Sequence, residues 1–92
     1  MPWTLETTAA FDRRARKFLK QHRDLQDRFE ETLTRLQHDP FDPKLYLHGL
    51  SGQLEGLYAI RLNYRYRVVL TVSIDGGRLL LLDIGSHDVV YR

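Results

Sequence analysis

Three arginines, Arg61, Arg65 and Arg67, fall close together in a stretch that otherwise alternates like β-strand. Residues 51–92 carry five arginines and no lysine. Arginine without lysine favours forked recognition of phosphate or carboxylate over diffuse charge attraction. Histidines stand at positions 22, 38, 48 and 87, none of them four residues from another, so no helical pair of metal ligands is set up. The chain has no cysteine, which excludes disulfides and thiolate metal sites, and no metal is expected. His87 follows Gly85 and Ser86 at the end of an apolar run. An imidazole, whose ordinary pKa is about 6.5, gives or takes a proton at cellular pH. His87 is therefore either a proton-transfer group or a plain surface residue near a chain end. His48 lies in a glycine-rich loop and poses the same choice.

Register decides whether the arginines meet. Tyr58, Ile60 and Leu62 alternate along one run, and Tyr66, Val68 and Leu70 along the next. With Asn63, Tyr64 and Arg65 as the turn, Leu62 pairs with Tyr66, Ile60 with Val68 and Tyr58 with Leu70. All six apolar residues then share one face, and Arg61 lies opposite Arg67 on the other. A slip of one residue would carry charge into the apolar side. Two arginines facing one another repel unless something negative lies between them. That is either a bound anion or a neighbouring acid such as Asp83 or Glu55.

The elements that must hold these residues are legible around them. Trp3 to Glu6 alternates as a short strand. Thr8 caps a helix with Phe11, Ala15, Phe18 and His22 on one face; Asp12, Arg13, Arg16, Lys17 and Lys20 form the other, a mainly basic face that is either solvated or touching nucleic acid. Asp24 is expected to cap a second helix striped by Leu25, Phe29, Leu33 and Leu36, which Pro40 and Pro43 end. Phe41 to Gln53 reads as irregular loop. Asp75-Gly76-Gly77 signals a hairpin, and Leu79 to Ile84 is a strand apolar enough to be buried on both faces. The expected fold class is α+β: an N-terminal strand, then an antiparallel helical hairpin packed on one face of a twisted, mainly antiparallel four-stranded sheet.

At 92 residues the chain accommodates one domain, residues 1–92. An apolar fraction of 42% with 28% charged residues is that of a folded domain and argues against disorder. The net charge of +2 is too small to establish a nucleic-acid partner. No segment is long enough to span a bilayer, and Met1 to Glu6 lacks the basic and apolar regions of a signal peptide, so the cytoplasm is the expected location.

The stretch LHGLSGQLEGLYAIRLNYRYRVVL, Leu47 to Leu70, resembles the middle of toxins of the RelE/ParE superfamily: a glycine-punctuated leucine loop, a strand ending in Arg, then a Tyr-Arg-Val strand. The ending GSHDVVYR, Gly85 to Arg92, resembles the terminus common on the RelE-like side of that superfamily. With the order of elements, the resemblance covers nearly the whole chain. It implies the toxin of a type II toxin–antitoxin system, an mRNA interferase held inactive by a cognate antitoxin and acting on mRNA, often on the ribosome. Cleavage would use the RNA's own 2′-OH and need no metal or small-molecule cofactor.

The same resemblance gives Arg61 and Arg67 the phosphate and its transition-state charge. It gives His87 the proton transfer. Tyr91 resembles a catalytic or base-stacking position, or is an aromatic plug for the C-terminus. Asp88 either orients His87 or caps the turn. His48, Arg65 at the rim and Arg92 would add substrate contacts. The lysine-rich stretch of several RelE-type enzymes is reduced here to Lys44, which shifts the expectation toward a histidine-bearing branch. Two alternatives remain: a ParE-like poison of DNA gyrase without catalytic residues, and an inactive antitoxin-binding module.

Overall fold

The computed structural model describes residues 3–87. The elements run β1 (Thr4–Thr7), α1 (Ala9–Gln21), α2 (Gln26–His38), β2 (His48–Gly49), β3 (Tyr58–Arg61), β4 (Tyr66–Ser73) and β5 (Arg78–Ser86). The sheet has five strands in the order β1-β5-β4-β3-β2, where four were expected. The addition is the two-residue β2, cut from the segment read as irregular loop. Its His48 lies opposite Ala59 and its Gly49 opposite Tyr58. All pairings are antiparallel except β1 with β5, the contact that places the first strand beside the last.

The two helices begin differently. The Thr8 hydroxyl oxygen accepts the Phe11 N–H at 3.0 Å and closes the first turn of α1. Asp24 does not play that part for α2. Arg23–Leu25 forms a separate 3-10 turn that takes Asp24 inside it, and α2 starts at Gln26 without a side-chain cap. At the end of α1, His22 packs against Phe18 and Tyr66, with ring centroids 4.5 and 4.9 Å away. This half-buried ring fastens the helical corner to the start of β4.

The helices bury Phe11, Ala15, Phe18, Phe29 and Leu36 against Ile60, Val68, Leu70, Leu79, Leu81 and Ile84 of the strands and Leu62 just after β3. That apolar match sets the register of β3 on β4: Tyr58 faces Leu70, Ile60 faces Val68 and Arg61 faces Arg67. The β4–β5 turn passes through Gly76 and Gly77, both with positive φ (86° and 61°), where residues other than glycine are strained. Farther along, Leu82 is an extra residue in β5, since Val69 pairs with Asp83 and Leu70 with Leu81. Leu79, Leu81 and Ile84 are buried, while Leu80 and Leu82 are half-buried; burial on both faces is only partial. β1 reaches no farther than Leu81, which leaves the outer edge of β5 beyond that point unpaired among the described residues. Among the described residues no helix is long and apolar enough to cross a membrane.

Thr8→Ala should cost about 1 kcal/mol and lower the midpoint of thermal unfolding by roughly 5 °C, read by circular dichroism.

Candidate active site

The site forms where β3, β4 and the loop ahead of β2 converge on the end of β5. Arg61 and Arg67 lie opposite one another, and each is held by something other than an acid. Arg67 donates from Nη1 to the Asn63 carbonyl at 2.8 Å and to the Tyr66 carbonyl at 3.2 Å. The turn it leans on is closed by the Asn63 side chain, whose Oδ1 accepts the N–H groups of Arg65 and Tyr66 at 2.9 and 2.8 Å. The Arg61 guanidinium lies 4.1 Å from the centroid of the Tyr46 ring. Its Nε is buried and has no hydrogen-bond partner among the described residues.

Neither acid considered from the sequence reaches these arginines. Asp83 pairs with Arg14 of α1 at 3.2 Å, and Glu55 makes no ion pair among the described residues. The two guanidiniums therefore present positive charge to a cavity of about 420 Å³ lined by Tyr46, Leu47, His48, Arg61, Arg67 and His87. A second cavity of about 490 Å³ adjoins it through His48 and His87 and opens onto the loop from Gly49 to Leu54. His48 places Nδ1 2.9 Å from the Tyr46 carbonyl oxygen. A carbonyl only accepts, so Nδ1 carries the proton and Nε2 of the neutral ring is the acceptor. His87 is exposed at the end of β5.

No protein-family model and no curated protein sequence matches the chain. Solved structures do. It is similar to YafQ from E. coli, at 14% identity over 98% of this chain and 99% of that one, with a TM-score of 0.81. It is similar to a toxin from Helicobacter pylori, at 26% identity over 98% and 99%, with a TM-score of 0.73. It is also similar to the toxin–antitoxin complex RelBE2 from Mycobacterium tuberculosis, at 17% identity over 95% and 100%, with a TM-score of 0.64. The chain has the RelE/ParE-like toxin fold.

Within this toxin fold the residues singled out from the sequence divide. Arg61, Arg67, His48 and His87 line one cavity. Lys44 lies next door, in a groove of about 350 Å³ that it lines with Arg28, Arg35, Tyr46 and Arg61. Arg65 is turned elsewhere. It stands over the Tyr66 ring at 5.7 Å and lines a different groove, with Arg14, Lys17 and Gln21 of α1. Asp88, Tyr91 and Arg92 lie outside the described residues.

Tyr46 was not singled out from the sequence, and Asn63 only as part of the turn. Asn63 carried a signal, since asparagine readily bonds the backbone two residues on. Tyr46 carried none. It adopts φ 54° and ψ 42°, a left-handed conformation that glycine or asparagine takes more easily.

Asp42 anchors the approach to this loop. Its carboxylate accepts the Lys44 N–H at 2.9 Å and an Arg35 N–H at 3.3 Å, tying the loop to α2. The Lys44 N–H and, after it, the Arg35 guanidinium hold the Asp42 carboxyl below its ordinary 3.8. A depressed carboxyl stabilises the fold fully above the ordinary value and loses that effect as pH falls through the folded value. The stability gap between wild type and Asp42→Asn should thus be widest near pH 7 and close below pH 3.8, as read from urea unfolding at each pH.

Proposed function

We propose that the chain is an mRNA-cleaving endoribonuclease, the toxin of a type II toxin–antitoxin system. The observation that carries this reading is the cavity in which two arginines without a carboxylate partner among the described residues stand beside two imidazoles. Such a cavity suits a phosphodiester: it offers forked donors for the non-bridging oxygens and imidazole nitrogens for the two bridging ones.

The chemistry divides among the chain's own side chains. The 2′-OH of the nucleotide ahead of the scissile phosphate attacks phosphorus, and the bond to the 5′-oxygen breaks. His48 takes the 2′-OH proton on Nε2, the nitrogen left free by its contact with the Tyr46 carbonyl. His87 in its protonated form gives a proton to the departing 5′-oxygen. The products are a 2′,3′-cyclic phosphate and a 5′-OH. Charge gathers on the phosphorane, and Arg67 is pre-aimed to meet it, since two backbone carbonyls already fix its guanidinium. Arg61 adds a second positive charge across the same cavity.

Cytoplasmic action on mRNA, on the ribosome, is part of this reading, as is a cognate antitoxin partner. The similarity to RelBE2, described as a toxin–antitoxin complex, supports the partner.

Purified protein should release 2′,3′-cyclic phosphate ends from single-stranded RNA or from translating mRNA, resolved by primer extension and end-group analysis. His87→Ala should cut at least ~100-fold more slowly with an unchanged melting curve, and cutting at the wild-type rate would remove His87 from the chemistry. Arg67→Ala should raise the barrier by about 2–4 kcal/mol. Gyrase-dependent DNA breaks without RNA cuts would replace the nuclease with a gyrase poison.

A further inference from the structure

We propose that Tyr46 is a stacking platform for a nucleobase next to the scissile phosphate, so that bound RNA crosses the Tyr46 ring into the groove beyond it. This rests on the ribonuclease reading and adds to it a path for the strand.

Several independent features converge on Tyr46. It is one of four large apolar side chains on the described surface with more than half their area exposed; the others are Phe41, Tyr64 and Ile74. It alone among them lines the cavity of the two arginines and two histidines. It is the one non-glycine residue with positive φ among those described, a backbone conformation that comes at a steric cost to an ordinary residue. A glycine would relieve that cost, so the conformation makes sense if the ring is what matters at this position. The Arg61 guanidinium is seated on the ring at 4.1 Å. An arginine stacked on one side of a tyrosine fixes the ring plane and leaves the opposite side for an aromatic ligand, an arrangement suited to unpaired RNA bases.

Tyr46 and Arg61 also form the wall between two cationic spaces. On one side is the cavity with Arg67, His48 and His87. On the other is the groove with Arg28, Arg35 and Lys44. Arg35 is neutralised by Glu31 and Asp42, at 3.1 and 3.3 Å. Arg28 and Lys44 make no ion pair among the described residues, so they are the cations available there. Phosphates recur along a single strand with one base between neighbours. A phosphate at Arg67, a base on Tyr46 and a next phosphate at Arg28 and Lys44 reproduce that repeat.

The test uses the full chain and short single-stranded RNA, 2′-O-methylated so that it cannot be cut, with one 2-aminopurine walked along the positions. Binding should quench the fluorophore most strongly at one position. Tyr46→Phe should keep the quench. Tyr46→Leu should lose it and bind about tenfold more weakly, with an unchanged slope of log Kd against log salt. Lys44→Ala should leave the quench in place and lower that slope by roughly 0.7. A quench in Tyr46→Leu equal to wild type, or no favoured position in wild type, overturns the platform. Cleavable RNA run in parallel separates the two readings. A Tyr46-dependent quench without any cutting sinks the nuclease and keeps the platform, and normal cutting and binding by Tyr46→Leu does the reverse. RNA that does not bind at all ends both.

Discussion

Two guanidinium groups face one another across β3 and β4, and nothing acidic among the described residues stands between them. That repulsion is imposed from the opposite side of the sheet. Ile60 and Val68 are fully buried under the helices, and a slip of one residue would put an arginine in their place. The hydrophobic effect thus holds like charges together, and the core is the source of the field that the site uses. The separate anchors of the two arginines, carbonyls for Arg67 and an aromatic face for Arg61, orient both groups without cancelling either charge.

The loop from Phe41 to Leu57 completes the site from one flank. Its first part is pinned by Asp42 to Lys44 and Arg35, and its middle joins the sheet through His48 opposite Ala59. Between these fixed points Tyr46 turns the chain, and its carbonyl sets the tautomer of His48. A single residue thereby serves three neighbours: Arg61 through its ring, His48 through its oxygen, and the loop through its backbone turn.

Much of this was readable in advance wherever one face of an element is buried. The β3–β4 register, the Thr8 cap and the Gly76-Gly77 hairpin follow from alternation and turn chemistry, and the structure has all three. The misses have physical causes. Asp24 is a good cap by type, but the corner tightened into a 3-10 turn around it. β2 is only two residues long, below any periodic signal. Tyr46 was invisible because no local preference places tyrosine in a left-handed turn, and its stack on Arg61 joins residues distant in sequence. Arg65 sits two residues from Arg67, yet the turn sends it to another groove.

The short reach of β1 has a consequence for crowded conditions. Among the described residues β5 has no strand neighbour on its outer side beyond Leu81, and an uncovered strand edge is what a second copy of the chain would zip onto. The extra residue at Leu82 breaks the flatness such zipping needs, and the Arg14–Asp83 pair with Lys17 beside it sets charge along the approach. Pairing of a second copy along the described part of that border is thereby penalised.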